Sequence, residues 1–357
     1  MSGDPGTDPT LAELRDVPAA MLRAADLLGA QRGHLRLIGE LSASMPRFVI
    51  SGVGASLAVG RALESMLIGK GADARTISGG SLERDGAHAL DAGTMLVVVS
   101  RSGDQADLCA GTRAALELPG RPLVVAVLGK VTGELAGLAD VVIETGSEPG
   151  VGPPTRSVAA TAIVLAAIAR MRAWGAAADV DAALAEVDGI ARHAASVAAG
   201  LIDLPADRVA ALAEICGGRA SLLATGRGGG RAAADLAALA WWTTVGSLAS
   251  IVEAGDLSHG PLEAVGDGLV TLVFSTDPPS AQADRALAVE LGRAGSAVVF
   301  IGADAPPGIE GVPVEPVDPV LDPVLASLVM HVIARAVVTG RGRVAGPPTR
   351  VRGADLG

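Results

Sequence analysis

The stretch Val97-Val98-Val99-Ser100-Arg101-Ser102-Gly103-Asp104-Gln105-Ala106-Asp107 decides how this chain folds. It starts inside a continuous apolar run, TMLVVVS at 94–100. It then breaks into two serines around an arginine, a glycine and a polar segment that opens a helix. A strand that is apolar at every position is covered on both faces, which marks a parallel sheet lying between helices. The carboxyl ends of such strands are where ligands settle, because the helices that follow present free amides there.

The same alternation continues in both directions. Upstream, a helical pattern from Thr10 to about Ala43 precedes RFVISGVGAS (47–56), a short strand running into a glycine turn and a helix through about Lys70. ADARTIS (72–78) is strand-like, and a helix-like segment follows it. Downstream come a helix over 104–116, the strands PLVVAVLG (122–129) and DVVIETG (140–146), and a helix over 155–172. An Ala-rich helical stretch (173–217) leads to a repeat of the theme. SLLATGRGGG (221–230) is strand plus glycine turn, followed by a helix over 231–251, GLVTLVFST (268–276), a helix over 279–294, AVVFIG (297–302) and a final helix over 320–339. The pattern predicts an α/β protein of two tandem doubly wound, flavodoxin-like parallel-sheet domains with an N-terminal helical segment. The expected divisions are 1–45 (helical segment), 46–172 (first domain), 173–217 (connector), 218–340 (second domain) and 341–357 (tail).

Half of the 357 residues are apolar, but only three Phe, three Trp and no Tyr are present, so the core has to be built from Ala, Val and Leu. A formal charge of −11 argues against nucleic acid or an anionic membrane as partner. Any anionic ligand has to be held by local donors instead. The two cysteines, Cys109 and Cys216, fit no metal or redox motif. From the polar start MSGDPGTDPT no signal peptide is expected, and apolar stretches such as 157–169 fall short of a membrane span. A cytoplasmic protein with neither cofactor nor metal is expected.

GVGASLAVG (52–60) invites comparison with a dinucleotide fingerprint. Leu57 stands where the third glycine belongs, and no acidic residue closes the next strand convincingly, so a nicotinamide-dependent oxidoreductase is disfavoured. A tight turn that packs helix on strand explains these glycines equally well. More telling is a second turn at a neighbouring strand end. Gly54-Ala55-Ser56 and Ser100-Arg101-Ser102-Gly103 together offer hydroxyls and amides for a phosphate without any net positive charge. Serine N-capping alone is the competing explanation, though two serines flanking one residue exceed what a cap requires.

With these loops in view, the sequence resembles the sugar isomerase (SIS) domain family over about residues 10–352. The isomerase half of glucosamine-6-phosphate synthase and the stand-alone amino-sugar phosphate deaminases and deglycases are the nearest types. The resemblance is carried by SGVGAS (51–56), SRSGDQAD (100–107), SEPGVGPPTRSVAAT (147–161), GRGGG (226–230), EAGDLSHGPLEAV (253–265) and ELRDVP (13–18). It implies that Gly54, Ala55, Ser56, Ser100, Arg101, Ser102, Gly103 and Gln105 hold a sugar phosphate, with Val151 and Thr155 lining the sugar. It also implies that His259 opens the ring as acid and base, reaching in from the partner subunit of a homodimer. A histidine titrates in the range that such a proton transfer needs.

The departures from the pattern are specific. A glutaminase domain is not expected in a chain that starts with the isomerase-type helices. The family's base for proton transfer between C1 and C2 is a glutamate sixteen residues before the histidine; here that position is Thr243, and the lysine three residues earlier is Ala240. A threonine hydroxyl cannot serve as a carboxylate base near neutral pH. The one acidic residue in the stretch 231–251, Asp235, lies about two turns earlier. The remaining carboxylate candidates are Glu148 and Glu253. In the tail, GPPTRVR replaces a lysine-bearing motif, which makes Arg350 the substitute, able to fork onto an anion but not to act as a base. The expectation is an enzyme acting on a keto- or amino-sugar phosphate with an altered base. A non-catalytic sugar-phosphate sensor is the alternative.

Overall fold

The computed structural model describes residues 8–147, 153–174 and 179–346, which gather into two compact units. The first sheet lies in the unit built from residues 18–147, 156–174 and 179–195. The second lies in the unit of residues 8–17, 153–155 and 196–346.

In chain order the first part contains α1 (Pro9–Ala30), α2 (Arg32–Ser42), β1 (Arg47–Gly52), α3 (Ala55–Gly69), β2 (Asp73–Ser78) and the single turn α4 (Gly79–Ser81). Then come β3 (Thr94–Ser100), α5 (Ala106–Leu116), β4 (Leu123–Leu128), α6 (Glu134–Leu138), β5 (Val141–Glu144), α7 (Arg156–Trp174) and α8 (Val180–Ile202). The five strands are all parallel, in the order β2-β1-β3-β4-β5. Every residue of β3 is buried, as its unbroken apolar run requires. One face of the sheet packs Val49, Leu96, Val98 and Ala126 against Leu82, Leu108 and Leu135. α3 and α7 cover β1 and β4, and the buried stretch Val158–Ala169 of α7 explains why that segment is apolar on all sides.

The second part contains α9 (Ala206–Gly217), β6 (Ser221–Gly226), α10 (Gly229–Thr244), β7 (Ala249–Glu253), β8 (Leu269–Ser275), α11 (Ala281–Arg293), β9 (Ala297–Gly302), β10 (Glu310–Val312) and α12 (Asp322–Gly340). These strands too are parallel, ordered β10-β9-β8-β6-β7. Relabelled by position, both sheets read 2-1-3-4-5, so the tandem repeat expected from the sequence is a repeat of topology. α12 is long and apolar enough, by length and composition, to cross a membrane, unlike the shorter stretches weighed from sequence. Most of its surface is buried against α9 and α10, which accounts for that composition.

Several elements differ from the sequence reading. The helix expected over 231–251 stops at Thr244 because Gly246 takes φ +75°, a conformation that glycine adopts without strain. The freed segment 249–253 becomes the edge strand β7, and β10 at the opposite edge is only three residues long. The N-terminal helical stretch divides at Gln31. That side chain donates to the carbonyl of Glu144 (2.9 Å) and accepts from its amide (2.7 Å), satisfying the open edge of β5 as another strand would. α9, read as part of a connector, packs on α12 within the second unit.

Candidate functional site

Both sheets begin with the same device. β1 ends at Gly52 and β6 at Gly226, and each passes through a glycine in the same unusual conformation, Gly54 (φ 58°, ψ −122°) and Gly228 (φ 52°, ψ −123°), into a helix. A Cβ on Gly52 would press to within 2.9 Å of the backbone of Ser56, so glycine is what lets the helix sit directly over its strand end. Each helix starts without a side-chain cap. Part of the first turn is satisfied by backbone instead: in α10 the amides of Gly230 and Arg231 bond the carbonyls of Arg227 (2.7 Å) and Gly228 (3.1 Å).

The two units diverge at the next strand. In the first, β3 runs into Ser100-Arg101-Ser102-Gly103, and its neighbour β1 carries the Gly54-Ala55-Ser56 turn. The gap between β1 and β3 is where the strand order reverses, the usual ligand position of an open α/β sheet. Ser100 and Ser102 are almost wholly buried. The Ser100 hydroxyl accepts from the Gly103 amide (3.0 Å), and the Ser102 hydroxyl accepts from the Asp104 amide (3.3 Å). The loop is fixed from below: Gly103 takes φ +77°, its carbonyl accepts from Leu135 (2.9 Å), and the Asp104 carboxylate accepts from the Glu134 amide (2.8 Å). Each serine keeps its hydroxyl proton for a further acceptor, because in these two bonds it is the acceptor. Gln105 sits at the N-cap of α5 with no side-chain cap bond, so the amides that follow are uncapped. Ser56 lies in the first turn of α3, half-buried, with its own amide already bonded to the Val53 carbonyl (3.2 Å).

Two hydroxyls that the sequence reading did not single out join this end of the sheet. Thr145 and Ser147, both buried, are hydrogen-bonded to each other (2.9 Å) just beyond β5. A Cβ on Gly129, after β4, would meet both the Ser147 hydroxyl and the Arg101 carbonyl. Thr145-Gly146-Ser147 looks like an ordinary turn in one dimension, and only the sheet order brings it beside the SRSG loop.

In the second unit the corresponding positions cannot make this cradle. β8 ends in Ser275-Thr276-Asp277 followed by Pro278 and Pro279, two residues without an amide hydrogen, and the serine of the first turn is replaced by Gly230. Arg227 in the glycine turn is bound to Asp284 at 2.5 Å, and Ser280 donates to the other oxygen of that fully buried carboxylate (2.7 Å). Among the described residues, the serine hydroxyls and the uncapped helix start that follows them lie together at the first sheet.

The candidate proton-transfer residues are distributed as follows. His259 is exposed at the end of a short 3-10 turn, Leu257–His259, with its amide bonded to the Asp256 carbonyl (3.0 Å). Gly260, after it, takes φ +131°. Glu253 ends β7 and turns its carboxylate onto the Gly255 amide (2.5 Å), closing its own turn. Thr243 lies in the last turn of α10, its hydroxyl donating back to the carbonyl of Leu239 (2.8 Å). Asp235 is paired with Arg231 (3.0 Å) on the same helix. Thr155 is buried just before α7, its hydroxyl without a partner among the described residues. Glu148, Val151 and Arg350 lie outside the described residues. Both thiols are buried, and burial pushes the Cys216 thiol up to about 12, far from reactive thiolate chemistry.

No protein-family model matches the chain. One curated relative is glutamine–fructose-6-phosphate aminotransferase (isomerizing) of Mycolicibacterium smegmatis, 26% identical over 267 residues, 71% of this chain. The match spans 41% of that relative's length. Among solved structures, the C-terminal domain of glucosamine-fructose-6-phosphate aminotransferase from Francisella tularensis superposes with a TM-score of 0.79 at 15% identity, covering 97% of this chain and all of that one. Tagatose-6-phosphate ketose/aldose isomerase from Escherichia coli gives a TM-score of 0.78 at 21% identity, covering 97% and 96% of the two chains. These likenesses establish the fold.

Proposed function

Starting from a chain with the two-sheet fold of the sugar isomerase domain proteins, we propose that it binds a keto- or amino-sugar phosphate and acts on it as an isomerase-type enzyme. The observation that carries the reading is the asymmetry between the two sheets. Both share a glycine turn into an uncapped helix, but among the described residues only the first adds the buried Ser100 and Ser102 hydroxyls at its switch point, where the second has prolines and an ion pair. Such a cradle seats a dianion by hydrogen bonds despite the chain's overall negative charge.

In this reading the phosphate rests on Ser100, Ser102 and the first amides of α5, with the Ser56 hydroxyl opposite. Arg101 adds a positive charge at the loop. Val151 and Thr155 line the sugar, and Arg350 reaches the same ligand from the tail. His259 moves the proton between ring oxygen and anomeric hydroxyl to open the ring, contributed by the partner subunit of a homodimer. The step between C1 and C2 needs a carboxylate base. Thr243 does not supply it, and Glu148 is the candidate left, since Glu253 is tied into its own turn. Aldose–ketose interconversion and deamination or deglycation share this first ring opening.

The second reading, a sugar-phosphate sensor without turnover, is favoured by the inert hydroxyl at Thr243. Thermal shift with fructose-6-phosphate and glucosamine-6-phosphate, set against the unphosphorylated sugars, tests the seat, and NMR of each stabilising compound tests turnover. Stabilisation with product supports the enzyme, and stabilisation without product supports the sensor. The absence of any shift with a phosphosugar would sink both.

A further inference from the structure

The carboxyl end of the second sheet holds a cavity that the phosphosugar reading does not use. It has a volume of about 180 Å³ and sits over the ends of β8 and β9. Its polar lining includes Thr276 and Asp277 after β8, Arg285 from α11 and Asp304 after β9, with Phe300 and Val314 as an apolar wall. Asp322 also borders it, but that carboxylate is occupied, accepting from the amides of Val317 (2.7 Å) and Asp318 (3.0 Å) at the start of α12.

Opposite charges share this small space without pairing. Arg285 is half-buried, yet no carboxylate bonds to it among the described residues. Asp277 is likewise half-buried, and no donor reaches its carboxylate among the described residues. The Thr276 hydroxyl is buried without a hydrogen-bond partner among the described residues. Partly buried charges and hydroxyls left this way cost free energy unless something else completes them. Burial, and after it the neighbouring Asp284 charge, push the Asp277 carboxyl up from its ordinary range. Arg227, the nearby cation that could have relieved it, is committed to Asp284.

The groups that lack partners are therefore one anion-binding fork, one cation-binding carboxylate with a second at the mouth, and a hydroxyl, around an apolar wall. We propose that this cavity binds a small zwitterion, with its carboxylate on Arg285, its ammonium between Asp277 and Asp304, and its carbon atoms against Phe300 and Val314. Size supports the class. The cavity holds the equivalent of about six waters and falls below the roughly 300 Å³ at which pockets for larger ligands begin. An amino acid fits that volume, and a hexose phosphate is too large for it. This site does not rest on the phosphosugar reading, since it uses the other sheet and other residues.

Isothermal titration of the full chain with glycine, L-alanine and L-serine, alongside sodium acetate and methylammonium chloride, tests it. At least one zwitterion should bind with at least tenfold higher affinity than either single-charge probe. Arg285→Gln and Asp277→Asn should each weaken that binding at least tenfold while leaving the thermal shift by fructose-6-phosphate unchanged. Failure of all three zwitterions at millimolar concentration would overturn the proposal. So would acetate binding as tightly as the zwitterions, or binding that survives both substitutions. The comparison of probes on the unmodified chain stands even if a variant folds poorly.

Discussion

The Arg227 guanidinium lies 2.5 Å from the carboxylate of Asp284, which is fully buried, and it also donates to the carbonyl of Ala254 at 3.4 Å. One side chain thus joins the glycine turn after β6, the start of α11 and the end of β7. In the first sheet the turn residue at the equivalent place is Val53, which is exposed. The second unit has filled its own switch point with an internal salt bridge.

That pair makes an asymmetric prediction for stability. Arg227→Leu leaves a buried carboxylate with Ser280 as its one partner among the described residues, and should cost about 3–5 kcal/mol. Adding Asp284→Leu to the same chain removes the stranded charge and should recover most of the loss. Urea denaturation of the two variants checks this. A double variant no more stable than the single would show that the ion pair matters for more than its own charge balance.

The glycines divide by what surrounds them. A methyl group on Gly230 would collide with the carbonyl oxygen of Phe274, a backbone atom that cannot swing away. Gly230→Ala should therefore destabilise at the upper end of the roughly 1–3 kcal/mol typical of overpacking. Gly189 lies inside α8 with nothing near its absent side chain. Gly189→Ala should stabilise by about 0.5–1 kcal/mol, because alanine loses less backbone entropy in a helix. Melting temperatures that move in opposite directions are the expected result.

Much of this architecture was legible in one dimension because parallel strands buried on both faces are continuous apolar runs. TMLVVVS marks β3 residue for residue, and SLLATGRGGG contains β6 and the glycine turn after it. What escaped were edge elements, whose stability comes from a neighbour rather than from their own pattern: β7 was hidden behind α10, and β10 has only three residues. The turns of the candidate site were legible as backbone features, because Gly54 and Gly103 take positive φ where the sequence places glycine. Thr145 and Ser147 were not, because their place beside that turn depends on strand order. The engagement of the Glu253 carboxylate with Gly255 is equally invisible in sequence.

His331 gives the chain a pH dependence of known sign. It lies buried in α12 with Nδ1 unpartnered among the described residues, and burial lowers its pKa from the ordinary 6.5 to about 4. The unfolded chain therefore takes up a proton between those values that the folded chain refuses. This contribution to stability is full above pH 6.5 and is lost as pH falls toward 4. The shift corresponds to at most about 3 kcal/mol. His331→Leu should flatten the stability profile between pH 7 and pH 4.5 relative to the parent chain, measured by denaturant unfolding at each pH. Parallel profiles would mean that the histidine is protonated in the folded state as well.

The serine seat and the histidine should separate binding from chemistry. Ser102→Ala removes a hydroxyl whose bond to the Asp104 amide is long (3.3 Å), so folding should lose no more than about 0.5–1.5 kcal/mol. The affinity for fructose-6-phosphate should nonetheless fall at least tenfold, because the phosphate loses a buried donor. Ser100→Ala should do both, since its hydroxyl also holds the Gly103 amide at 3.0 Å and with it the shape of the loop. His259 is exposed, and among the described residues its bond is through its backbone amide. His259→Ala should leave stability and phosphosugar affinity within measurement error and abolish conversion. Calorimetry of the three variants, read beside an NMR assay of each, gives the pattern. A His259→Ala chain that still converts substrate would remove the histidine from the mechanism, and a Ser102→Ala chain that binds undiminished would remove the phosphate from the SRSG loop.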